Sequence, residues 1–182
     1  MRRRRTTSGF RAGATILATL TLVAAGCGGG GGTSGDTEWA SGFCSAVTTW
    51  RNEVAETTFA LTSGPSRESL QAAAEDVRAA TDAFVSTVGE LGAPEIESGE
   101  EARTAVESFA GELEAGATEI QNAVQGEEIF AAVSEVRSVA AELTTALTTM
   151  LDDLQRLGDA DDELEQSFLG ADECEGLIPP TQ

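Results

Sequence analysis

The sequence predicts an all-α protein: an antiparallel up-down-up-down four-helix bundle with a short fifth C-terminal helix. Three observations carry that expectation. Four long segments repeat apolar residues at steps of three and four, the spacing of a single helix face. Short links rich in Gly and Pro separate them, which favours antiparallel neighbours. Runs of β-branched residues are few and no Asn-Gly hairpin turn occurs, so no segment favours a sheet.

The first helix is expected over residues 37–61, with Trp39, Phe43, Ala46, Trp50, Val54, Thr57 and Leu61 on one face. Thr62-Ser63-Gly64-Pro65 ends it. The second, over 66–91, opens on Ser66 as a cap, with Glu68 and Ser69 in its first turn. Its stripe is Leu70, Ala73, Val77, Ala80, Phe84, Val88 and Leu91, and Gly92-Ala93-Pro94 stops it. The third, over 95–125, carries Ala102, Val106, Phe109, Leu113, Gly116, Ile120 and Ala123. Gly99, Gly111 and Gly116 weaken it, and Gly116, which falls on the stripe, lets a neighbouring helix come close. The fourth, over 127–157, is the most regular: Ile129, Val133, Val136, Ala140, Leu143, Leu147, Met150, Leu154 and Leu157 alternate by four and three, a heptad seam. A fifth, over 160–170, uses Leu164, Phe168 and Leu169.

Charge is lopsided. The 182 residues carry 11 basic and 31 acidic side chains, a net of -20. Arg2, Arg3, Arg4, Arg5 and Arg11 are clustered at the start, and no acid occurs before Asp36. Residues 27–182 thus keep six basic side chains against 31 acidic ones, a net of -25. Such a surface repels nucleic acid, which is excluded as a partner, and offers no polybasic patch to anionic lipid. The chain contains no His, Tyr or Lys. Without His there is no Ser-His or Cys-His nucleophile pair, and the commonest metal ligand is missing. Without Lys there is no Schiff base and no P-loop lysine. Only carboxylate-pair chemistry or an all-oxygen metal site survives, and the expectation is a protein that is not an enzyme and holds no cofactor.

The start of the chain reads as a targeting segment. The arginines form a positive n-region, and 12–26 is an uncharged stretch centred on Ile16, Leu17, Leu20, Leu22 and Val23. That length suits a signal-peptide core and is short of the roughly 20 residues that span a bilayer. Leu22-Val23-Ala24-Ala25-Gly26-Cys27 resembles the lipobox of bacterial lipoproteins. The resemblance implies cleavage after Gly26, acylation of Cys27 and residence on the outer face of the cytoplasmic membrane, held through the lipid. Ala24 stands where that family usually has Leu. Small residues at Ala24 and Gly26 also suit ordinary signal peptidase, so the alternative is a secreted soluble chain. The resulting organisation is a signal peptide over 1–26, lipidated Cys27 with a Gly-rich tether over 27–36, an acidic helical domain over 37–178 and a tail over 179–182. Gly28 to Gly32, with no strand before and no Lys after, is a flexible tether rather than a phosphate loop.

Assigning Cys27 to the lipid leaves Cys44 and Cys174, an even pair in an exported chain, and predicts a disulfide. In an up-down-up-down bundle the start of helix one and the end of helix four share one end, and the fifth helix folding back brings the two cysteines together. Two buried free thiols are the alternative. With an early Trp39, Phe43, Cys44 and Trp50 and a late Cys174, the chain is similar to exported helical lipoproteins of actinobacteria; the resemblance implies an address and no activity.

Candidate sites are few. Asp152, Asp153, Asp159, Asp161, Asp162, Glu163 and Glu165 are hard oxygen ligands, but a calcium loop begun at Asp159 has Leu164 where Gly belongs and Gly170 where Glu belongs. A solvated acidic turn is expected. Glu100-Glu101, Glu112-Glu114 and Glu127-Glu128 likewise read as surface. Trp39 and Trp50 are three turns apart on one face, a possible aromatic contact surface whose plainer reading is bundle core. Phe59 lies off the stripe and is the better candidate for an exposed contact. Thr144, Thr145, Thr148 and Thr149 form a polar strip on helix four. The reading is a membrane-anchored interaction or accessory module with an envelope protein partner; the alternative is a binding protein that holds a small apolar or cationic ligand in or beside the bundle.

Overall fold

A computed structural model describes residues 34–60, 66–126 and 128–177. Those residues are all-helical, with five α-helices, one 3-10 turn and no strand. The helices are α1 (Ser34–Ala60), α2 (Arg67–Leu91), α3 (Gly99–Gln125), α4 (Ile129–Ala160) and α5 (Asp162–Leu169), and the turn spans Asp172–Cys174. The described helices all belong to one compact unit.

Packing follows chain order: α1 lies on α2, α2 on α3, and α3 on α4. Helix α5 touches both α1 and α4, and so bridges two helices that scarcely approach each other directly among the described residues. Three polar contacts tie helix ends. Trp39 Nε1, near the start of α1, donates to Gly92 O at the end of α2, 2.9 Å away. The Arg67 guanidinium, at the start of α2, donates to Gly126 O beyond the end of α3 at 2.6 Å. Ser98, just before α3, donates from its amide and its hydroxyl to Asp161, just after α4, at 3.0 and 2.7 Å.

Each boundary has a local cause. Ser66 caps α2 in a reciprocal box, its Oγ accepting from Ser69 N while Ser69 Oγ accepts from Ser66 N. Gly92 then ends α2 at φ 66°, a left-handed conformation that glycine adopts without strain. Helix α3 starts at Gly99, four residues later than residue 95 expected from the pattern. Its would-be first turn is engaged elsewhere: the Glu95 amide donates to Asp36 Oδ1, and both Ser98 donors go to Asp161. Helix α1 begins three residues earlier than expected, at Ser34, so the last residues assigned to the tether are helical.

The core is layered aromatic packing. Phe43 stacks on Trp39 with ring centres 5.6 Å apart, and Phe168 of α5 meets both edge-on. Midway along the bundle Trp50, Phe84 and Phe109 form a second triad with centres 5.7 to 6.4 Å apart. Beyond it, Gly116 admits α4: a Cβ there would lie 3.0 Å from Leu143 Cδ2 and 3.1 Å from Val139 Cγ1. The heptad seam expected on α4 is displaced in the first half of the helix. Ala132 and Val139 are buried there, while Ile129, Val133, Val136 and Ala140 are half-buried. The reason is the missing neighbour: α4 packs on α3 at Gly116 through Val139 and Leu143, and α1 scarcely approaches α4 to cover the rest.

Candidate functional site

The two cysteines meet. Cys44 Sγ and Cys174 Sγ are 2.01 Å apart, with Cα atoms 5.1 Å apart, and both residues are buried. The first aromatic triad and both cysteines belong to the same buried core. Cys27, the proposed lipid attachment point, and the tether up to residue 33 lie outside the described residues.

Trp39 and Trp50 form no contact surface. Each is 5% exposed, because the side chains opposite them are themselves aromatic: Phe43 and Phe168 cover the first, Phe84 and Phe109 the second. Their indole nitrogens are turned inward as well, towards Gly92 O and towards Thr81 Oγ1 at 3.4 Å. Phe59, off the stripe, is 75% exposed near the end of α1. Phe130 on α4 is more exposed still, at 86%; the wheel position that puts it off the heptad seam could have found it.

The acidic turn is a capping device. Asp161 Oδ1 accepts from Glu163 N at 3.0 Å and Leu164 N at 3.4 Å, starting α5, while Oδ2 takes the two Ser98 bonds. Among the described residues no group of three or more His, Cys, Asp or Glu side chains is placed to hold a metal ion. The Ser98 hydroxyl bond, with the backbone donors of Ser98, Glu163 and Leu164, holds the Asp161 carboxyl below its ordinary 3.8, against an opposing effect of burial. A depressed carboxylate stabilises the fold above its unfolded pKa and loses that effect as pH falls through the lower, folded value. Replacing Asp161 with Ala is therefore expected to cost about 1–2 kcal/mol at neutral pH. Asp161→Asn keeps a capping oxygen and removes the titration, so its acid-unfolding limb flattens below pH 3.8 relative to the parent. Urea midpoints measured from pH 2 to pH 7 check both.

Sequence reasoning missed a groove. Two depressions of about 500 and 590 Å³ run along α3 and α4 and share Ala105, Ser108 and Asp153. Buried Phe109 and Met150 close the bottom, and half-buried Ala105 and Ala146 form its apolar walls. Glu112, Glu142 and Asp153 stand on the rim. Thr145 and Thr149, from the expected polar strip, face this groove, yet each donates its hydroxyl back to the carbonyl four residues earlier at 3.0 Å. A shorter depression of about 520 Å³ lies between α1 and α2, beside Glu53, Glu56 and Asp76. No internal cavity opens between Phe84 and Phe109, whose ring centres lie 5.7 Å apart.

No protein-family model, curated protein or solved structure matches the chain. Among the described residues no helix is long and apolar enough to cross a membrane.

Proposed function

We propose that this protein is a non-catalytic lipoprotein of the cell envelope, tethered through Cys27 to the outer face of the cytoplasmic membrane and acting there as a protein-interaction or accessory module. The observation that carries the reading is the use of the three cysteines. Cys44 and Cys174 are bonded to each other in the core, which suits an oxidising compartment, and Cys27 stands apart from that bridge at the end of a lipobox-like segment. In this reading the helices run up-down-up-down, a topology supported by the end-to-end contacts of Trp39 with Gly92, Arg67 with Gly126 and Ser98 with Asp161.

The groove between α3 and α4 favours a second reading, a lipoprotein that holds a small cationic or apolar ligand beside the bundle, since its volume of about 500 Å³ is that of many ligand sites. In-cell photo-cross-linking separates the two. A photoreactive residue placed at exposed positions on each helix pair should trap a discrete protein adduct from one face of the domain. Adducts with no protein from any face would remove the interaction reading and leave the ligand reading.

A further inference from the structure

The interaction reading leaves open which face binds and what kind of partner fits it. Resting on that reading, we propose that the α3–α4 groove is the docking site and that its partner is a basic amphipathic helix.

The first reason is shape. On α3 the groove runs from Glu100 to Glu112, about 18 Å at 1.5 Å per residue, and on α4 from Ser138 to Leu157, about 28 Å. A shallow channel three or more turns long between two helices is the seat of a third helix laid across or along it. Small side chains make the approach possible: Ala105, Ser108, Ala141 and Ala146 keep the walls low.

The second reason is charge. Glu101, Glu112 and Glu142 have no cationic partner among the described residues, and Asp153 is shared with Arg156 at 2.9 Å. A helix with an Ala- or Leu-rich face and flanking Lys or Arg would meet apolar walls in the channel and carboxylates on both rims. Charge of this sign, set on a domain with a net of -25, also steers such a partner towards it. The depression between α1 and α2 offers acids too, but it extends only from Glu53 to Thr57 and from Asp76 to Ala83. It is too short to seat several turns and serves as the internal control.

The probe is a synthetic peptide of about 18 residues built from Lys, Leu and Ala at helical spacing and carrying a photoreactive group. It is added to the full chain in a non-ionic detergent, with affinity read by fluorescence anisotropy and attachment sites by mass spectrometry. Labels are expected on α3 and α4. The pair E112Q/E142Q should weaken binding about fivefold, the size of two exposed charge pairs. A141R, on an exposed position, should weaken it about tenfold by blocking the channel. The control pair E53Q/D76N should change it less than about twofold. Labels spread over every acidic face, or equal losses from the groove pair and the control pair, would overturn the proposal and reduce it to diffuse attraction. Spermidine competing as tightly as the peptide binds would also overturn it, in favour of a small cation. An in-cell protein adduct arising from another face would overturn the groove assignment while leaving the interaction reading standing, so the two fail separately.

Discussion

Removing the Cys44–Cys174 bridge by a Cys44→Ala/Cys174→Ala double replacement is expected to destabilise the domain by about 3–5 kcal/mol. The bridge closes a loop with a sequence separation of 130 residues, nearly the whole described chain. In the chain-entropy view it acts mainly on the unfolded ensemble, and a loop of that length gives close to the largest effect a single disulfide delivers. Small domains have total stabilities of about 5–15 kcal/mol, so this is a large share. The loss is read as a lower urea midpoint, with a steeper denaturant dependence as the unlinked chain exposes more surface. Cys44 is 0% exposed and Cys174 3%, so a thiol reductant should reach the bond only as the domain opens. Its reduction rate should therefore rise with urea in step with unfolding. A change under about 1 kcal/mol would mean that the unfolded chain keeps the two ends together by other contacts.

The second large effect is expected at Phe109. Its ring is 2% exposed and lies edge-on to Trp50 and Phe84, with centres 5.8 and 5.7 Å away. It joins three helices at once, and the same side chain closes the bottom of the α3–α4 groove. Phe109→Ala removes the buried ring and leaves a cavity that neighbours on three rigid helices fill only in part, a loss of about 3–5 kcal/mol. Trp50 loses an edge-on partner, so its near-ultraviolet circular dichroism should weaken even where the helical signal persists. Phe109→Leu keeps most of the volume and should cost about half as much or less. Equal losses for the two replacements would place the effect in the ring contacts rather than in the cavity.

These predictions rest on elements of unequal legibility. The helices could be read from the chain because each stripe is local: Leu70, Ala73, Val77, Ala80, Phe84 and Val88 repeat at helical spacing and all are buried in α2. The cysteine pairing was legible for a different reason: setting Cys27 aside leaves two cysteines, each with one possible partner. Asp36 and Asp161 were not legible in their roles. Their carboxylates accept from backbone amides 59 and 63 residues away, and no local pattern encodes a contact of that range. Ser98-Gly99-Glu100-Glu101 has the spacing of a capping box, yet Ser98 makes no side-chain cap and its hydroxyl is turned to Asp161, to which it donates. The groove was hidden for the same reason. Seams on α3 and α4 look continuous in sequence, and only the distance between α1 and α4 decides which part of each is covered.

The central claim is the lipid tether, and the most direct test is the intact mass of the protein extracted from the membranes of the cells that make it. The proposal predicts a chain that begins at Cys27, carries acyl groups on that residue and is two hydrogens lighter for the Cys44–Cys174 bond. An unacylated chain recovered from the soluble fraction, whether cut before Cys27 or not cut at all, would contradict it and assign the helical domain to a secreted or unprocessed protein.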